Sequence, residues 1–207
     1  AIKTVYPKKN HDQLTISEQQ DIWDKVIRNN VFVLCKTPMA KSITKRTLVG
    51  FRDVSINTRY FENMIHQIAD RPEKFIEKIR KGQSYWKANN NNDMKFNAIV
   101  GNPPYQVMDG GNSVSAKPVY HLFVDIGKRI NPDYFSLIMP ARWYAGGKGL
   151  DTFRETMLHD KSISKLFDYP NSNDCFTNVD IAGGLCYFLW DKEYNGKTQI
   201  TNYINGE

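Results

Sequence analysis

At 207 residues, 41% of them hydrophobic and 13% aromatic, the chain can build one domain with a core, or a domain with an appendage. Its 28 Lys and Arg against 22 Asp and Glu leave a net charge of +6, a mild excess that suits a polyanionic partner without demonstrating one. No stretch approaches transmembrane length, Ala1 to Val5 has no signal-peptide pattern, and Cys35, Cys175 and Cys186 are odd in number and widely spaced; no membrane, no metal and a reducing cytoplasm are expected.

The first strong pattern is a helix over 17–29, with Ser17 as N-cap, Gln20 three residues on, and Ile22, Trp23, Val26 and Ile27 on one face. Val31 to Cys35 reads as a short buried strand. Helices are expected over 39–48, 60–68 and 72–81, the last opened by Pro72. Lys87 to Asp93 is a polar, Asn-rich patch expected in a loop, dividing a mostly helical part, 1–94, from an α/β part, 95–207. In the second part, Phe96–Val100, Phe135–Met139, Ile163–Asp168 and Gly184–Trp190 read as strands, and Tyr120–Ile130 and Leu150–Leu158 as helices. Alternation of this kind predicts an α/β fold, a mostly parallel sheet with flanking helices, whose ligand site lies beyond the carboxyl ends of the strands.

Asn102-Pro103-Pro104-Tyr105 falls at that place, directly after the strand Phe96–Val100. The residue types suit an exocyclic aromatic amine. Such a nitrogen is a weak nucleophile because its lone pair is delocalised into the ring. Two acceptors aimed at its two hydrogens, the Asn102 side-chain oxygen and the Pro103 carbonyl, would draw it towards sp3 geometry. The fixed φ of proline holds the second acceptor in place. Tyr105 offers a flat face on which an extruded base can stack.

From about Lys95 onward the chain resembles the N6-adenine DNA methyltransferase core of restriction–modification enzymes, with type IIG-like methylases nearest. The resemblance rests on Phe96 to Gln106, on Ser115 to Tyr120 with Phe123, on Ser136 to Trp143, and on Asp168 to Ser172, Cys175-Phe176 and Gly183 to Trp190, in that order over about half the chain. It implies a Rossmann-like, S-adenosylmethionine-dependent methyltransferase fold acting on a flipped adenine in double-stranded DNA. It also implies that Phe176 packs the second face of the base opposite Tyr105. Lys117, at the end of the Gly/Ser-rich stretch 109–117, and Arg142 and Lys148, beside the turn Gly146-Gly147-Lys148-Gly149, are candidate phosphate contacts. That turn lacks the spacing of a nucleotide-binding loop.

Two features that the resemblance leads one to expect are absent. No glycine-rich turn precedes Asn102; Gly50, Gly82 and Gly101 are isolated. Cys35 ends the strand 31–35 where an acidic ribose contact is expected, and a thiol cannot replace a carboxylate there; Glu62 is a weaker acidic candidate. The expectation is the catalytic half of an adenine methyltransferase with an incomplete S-adenosylmethionine site, completed in the parent protein by an upstream cofactor motif and followed by a target-recognition domain. The alternatives are a degenerate, non-catalytic DNA-binding module, or an enzyme methylating cytosine N4 or protein glutamine. No nuclease motif is found, and the four histidines are scattered.

Overall fold

A computed structural model describes residues 10–81, 85–86, 93–108 and 116–203. Most of the 87–93 patch and residues 109–115 of the Gly/Ser-rich stretch lie outside them. The chain divides into two compact units, Ala1–Met94 and Lys95–Glu207.

In the first unit, α1 (Ile16–Asn30) starts one residue earlier than its apolar pattern suggests. Thr15 is the cap, not Ser17. Its hydroxyl accepts from Glu18 N at 3.2 Å and its own N donates to the Glu18 carboxylate at 2.9 Å, a reciprocal box that satisfies two otherwise unpaired donors. Strand β1 (Phe32–Cys35) passes through α2 (Pro38–Val49) to β2 (Asn57–Tyr60), which pairs with β1 in parallel. Ile27, Val49, Val54 and Ile56 form the small core beneath. β2 has no apolar pattern. Its buried Asn57 instead donates to the Arg28 carbonyl at 2.7 Å, so the strand is held by a polar contact that periodicity cannot reveal. Tyr60 therefore ends a strand rather than starting a helix, and α3 (Met64–Asp70) begins after Asn63 in the left-handed region. Helix α4 (Pro72–Arg80) follows.

The second unit holds a five-stranded sheet. Its strands are β3 (Ala98–Gly101), β6 (Tyr134–Pro140), β7 (Ile163–Tyr169), β8 (Leu185–Asp191) and β9 (Gln199–Asn202), in the order β3-β6-β8-β7-β9. Two helices, α5 (Tyr120–Ile130) and α6 (Asp151–His159), link the first three of these strands. A separate hairpin, β4 (Gln106–Met108) with β5 (Ala116–Pro118), follows β3.

The sheet is mixed, which corrects the mostly parallel expectation. β3 is parallel to β6 and β7 to β9, but β8 runs antiparallel to both its neighbours. The cause is the connection. A parallel return needs a crossover, usually a helix; residues 170–184 offer only the short 3-10 turn Ser172–Asp174, so the chain turns back on itself. One face of the sheet is closed by Phe135, Leu137, Met139, Cys186 and Phe188 packed with Tyr120, Val124, Trp143 and Leu150. Phe135 meets Phe188 edge-on at 5.3 Å. The opposite face carries Phe167, Tyr187, Tyr169 and Tyr203, with Tyr169 and Tyr203 stacked 4.6 Å apart and 2° from parallel. Among the described residues no helix is long and apolar enough to cross a membrane.

Candidate active site

Strand β3 ends at Gly101, so Asn102 to Tyr105 leave the sheet at its carboxyl edge. Pro103 is buried, Pro104 and Tyr105 half-buried, and Asn102 exposed. The segment is held at both ends. Gly101 pairs with Leu137 of β6, and the Tyr105 carbonyl accepts from Val119 N at 3.0 Å where the β4–β5 hairpin closes. The backbone around Pro103 is thus tied to a strand on one side and a hairpin on the other, which fixes the direction of its carbonyl.

The carboxyl ends of β6 and β7 and the amino end of β8 lie at the same edge, because β8 is reversed. Two further segments meet there: the 3-10 turn Ala141–Ala145 and the loop 170–184, whose last residue, Gly184, accepts at its carbonyl from Ala141 N at 3.1 Å. The loop carries Phe176, half-buried, with its N donating to the Ser172 carbonyl at 2.9 Å. The preceding residue, Cys175, is among the groups around the Tyr105 hydroxyl. The fold therefore brings the Tyr105 and Phe176 segments together from 71 residues apart in sequence.

Beneath the loop is a set of polar groups with no role in the sequence reading. The hydroxyls of Tyr105, Tyr120 and Tyr144 are buried and have no hydrogen-bond partner among the described residues. All three lie near the fully buried Cys186, whose Sγ accepts from Trp143 Nε1 at 3.4 Å. Burial pushes the Tyr105 hydroxyl up to about 12, reinforced by Cys175 and Cys186 and opposed by the Asn102 amide, which lies beside that hydroxyl without hydrogen-bonding geometry. Burial raises Tyr144 as well, with Cys186 and Asp168 adding to it, and raises Tyr120 against the opposing charge of Arg142. The Cys186 thiol is pushed up to about 11, again by burial first. These groups stay protonated at neutral pH, so they form an uncharged floor and supply no base. Tyr144 stands next to Trp143 in the 3-10 turn that follows β6, and no signal in the sequence marked its place here.

The three cations differ in setting. Arg142 is exposed beside Tyr120, with no ion pair among the described residues. Lys148 is exposed in a turn where residues 146–149 all have positive φ; Lys148 itself is at +51°. Lys117 lies on β5 opposite Val107, exposed, and its charge adds to the burial that lowers His121. Arg142 belongs to the strand-end cluster; Lys117 belongs to the hairpin.

Truncation separates the ring of Tyr105 from its hydroxyl. Tyr105→Phe removes only an unpaired buried hydroxyl, and the rate of amine modification should stay within about threefold of the parent. Tyr105→Ala also removes the ring; if that ring is the stacking face the sequence resemblance implies, worth about 1–3 kcal/mol per base, the rate should fall by about tenfold or more. Parallel rate measurements on the two variants check this, and equal losses would show that the hydroxyl, not the ring, carries the role.

The residues that would hold S-adenosylmethionine do not fit it. Cys35 is 5% exposed, and its Sγ lies 3.7 Å from Thr44 Oγ1 rather than facing a ligand. Gly50 caps the end of α2, Gly101 is inside β3, and Gly82 lies outside the described residues. Glu62 is exposed between β2 and α3. Among the described residues no group of three His, Cys, Asp or Glu could hold a metal ion.

A family model described as the Eco57I restriction-modification methylase matches residues 29–176. The protein named uncharacterized adenine-specific methylase of Mycoplasma pneumoniae (strain ATCC 29342 / M129 / Subtype 1) is 36% identical over 121 residues, 57% of this chain and 28% of that protein. The chain thus spans little more than a quarter of that relative's length. Among solved structures, a chain of a type I R-M system is similar with a TM-score of 0.56 at 13% identity, covering 96% of this chain and 36% of its own. DrdV, solved in complex with DNA, gives 0.54 at 12% identity, over 95% and 23%. The M protein of the type I restriction enzyme EcoKI gives 0.51 at 15% identity, over 93% and 38%. At these identities the likeness is one of fold.

Proposed function

The chain belongs to the Eco57I restriction-modification methylase family, and from that premise we propose that it carries the amine-holding part of an adenine-specific DNA methyltransferase working in the cytoplasm. The observation that carries the reading is the Asn102–Tyr105 segment, clamped between β3 and the β4–β5 hairpin at the carboxyl edge of the sheet. In this reading an adenine leaves the duplex and enters between the Tyr105 ring and Phe176. The Asn102 side-chain oxygen and the Pro103 carbonyl accept hydrogen bonds from the two N6 hydrogens, so the nitrogen moves towards sp3 geometry and its lone pair is drawn out of conjugation with the ring. The proton lost from the amine passes to water, which the exposed Asn102 leaves within reach. The uncharged floor of Tyr105, Tyr120, Tyr144 and Cys186 contributes shape and dryness; the work is positioning and electrostatics. Arg142 and, further out, Lys117 and Lys148 supply phosphate contacts. The methyl donor of this family is S-adenosylmethionine, and because the residues present do not fit it, no step is assigned to it here.

A second reading, a DNA-binding module without turnover, is favoured by one observation, the buried Cys35 thiol at the end of β1. Methyl transfer by the native full-length protein decides between the two. Radiolabel from S-adenosylmethionine recovered as N6-methyladenine in duplex DNA is the expected result. Label in protein or on cytosine N4 overturns the adenine assignment, and DNA binding with no label transferred establishes the second reading.

A further inference from the structure

The positive charge of the molecule is not shared between its units. Residues 1–94 hold 17 Lys and Arg against 10 Asp and Glu; residues 95–207 hold 11 against 12. The entire excess thus resides in the unit that does not contain Asn102. Part of it is gathered on α4 and its two ends. Arg71, Lys74, Lys78 and Lys81 recur at intervals of three and four residues, which places them on one stripe of the helix. All four are exposed, and with Gln67 of α3 and Phe75 and Glu77 of α4 they line a groove of about 470 Å³. Lys81 is paired with Glu77 at 3.0 Å. Among the described residues no ion pair engages Arg71, Lys74 or Lys78. Like charges three and four residues apart destabilise a helix, and an anion laid along the stripe relieves that repulsion. Three features anchor the helix below: Phe75, Ile76 and Ile79 are buried, Trp86 Nε1 donates to the Ile79 carbonyl at 2.6 Å, and Met94 N donates to the Arg80 carbonyl at 3.0 Å. The stripe is therefore carried on a fixed support.

We propose that this face of α4 binds the sugar–phosphate backbone of duplex DNA, as a contact separate from the base site. Arg71 to Lys81 spans about 15 Å at 1.5 Å per residue. One strand of B-DNA presents a phosphate about every 3.4 Å of axis, so several phosphates fall within that length. Contacts of this kind fix register and orientation and carry no sequence information. The stripe stands on its own observations; the choice of duplex DNA as the polyanion rests on the proposed function.

The test is fluorescence anisotropy of a labelled 30-base-pair duplex with the 207-residue chain across a salt series. The triple variant Arg71→Gln, Lys74→Gln, Lys78→Gln is set beside a control, Lys161→Gln, Lys192→Gln, Lys197→Gln. The control removes the same charge from exposed positions at the sheet end opposite Asn102. The slope of log affinity against log salt is expected to fall by about 2–3 in the first variant, at about 0.9 per phosphate contact, and affinity near 0.1 M salt to fall at least tenfold. The control should keep the parent's slope, and neither variant should melt below the parent. Equal slopes in both variants, a preference for single-stranded RNA over the duplex, or no binding by the parent chain would overturn the proposal. The base-site reading is tested separately, by methyl transfer to adenine in the native protein, so its failure and failure of this one are distinguishable.

Discussion

Replacing Asn102 by alanine should cut methyl transfer by the native protein at least a hundredfold while leaving DNA affinity and stability unchanged. The side chain is exposed, so its truncation opens no cavity. Its function in the proposed reading is confined to the reacting amine. A preorganised hydrogen-bonding group aimed at developing charge is worth about 10²–10³ in rate, and losing one of two acceptors leaves the N6 lone pair conjugated with the ring. Asn102→Asp keeps an acceptor oxygen in the same place and is expected to lose less than Asn102→Ala. Single-turnover rates with saturating enzyme read this directly, because they exclude product release. A rate for Asn102→Ala within threefold of the parent would remove Asn102 from the reaction.

The largest expected effect on stability is at Gly184. It sits at the start of β8 with φ of +74°, and a Cβ there would press on the Tyr169 carbonyl oxygen and lie 2.8 Å from Pro170 O and 2.9 Å from Pro170 Cα. These are backbone atoms, so no side-chain rotation relieves the contact. Left-handed backbone costs a non-glycine residue about 1–2 kcal/mol, and overpacking a tight site a further 1–3 kcal/mol. Gly184→Ala should therefore lose about 2–5 kcal/mol in urea unfolding and shift the 170–184 loop that carries Phe176. The neighbouring Gly183 is the control. Its φ is +87°, but the nearest atom to an added Cβ is 3.8 Å away, so Gly183→Ala should show the conformational cost alone. Equal losses in the two variants would mean that the crowding against Tyr169 and Pro170 has no energetic weight.

Elements whose side chains are sorted by burial were readable in advance. Tyr120–Ile130 forms the helix expected there; of Leu122, Phe123 and Ile126, the residues expected inward, Ile126 is buried and the other two are half-buried, while Tyr120, Val124, Gly127 and Ile130 complete the buried face. The apolar runs around 32–35, 134–140, 163–169 and 185–191 all form strands. β2 and β9 were not legible. Asn57 to Tyr60 is held by the Asn57 amide, and Gln199 to Asn202 is a largely exposed edge strand whose pairing with β7 is made by backbone groups common to every residue. The β4–β5 hairpin encloses residues 109–115, where glycine and serine announce a turn but give no register. Of the candidate site, Asn102, Pro103 and Tyr105 were nominated from the sequence because the chemistry proposed for them is local to four consecutive residues. Tyr144 and Cys186 were not, since nothing in a lone tyrosine or a lone cysteine shows that the two side chains meet.

The sequence by itself determined that an apolar strand ends in Asn-Pro-Pro-Tyr, and that helices and strands alternate after it. Those are properties of adjacent residues, written in side-chain type and in a period of two or 3.6. Only the tertiary structure decided that β8 enters between β6 and β7 in the opposite direction, and that this reversal sets Gly184, the 170–184 loop and Cys186 beside Tyr105. It also decided that three tyrosine hydroxyls end buried there without partners among the described residues. Apolar periodicity reports that a segment is buried; which strands become its neighbours, and in what direction, depends on how each connection returns and on packing between residues far apart in the chain.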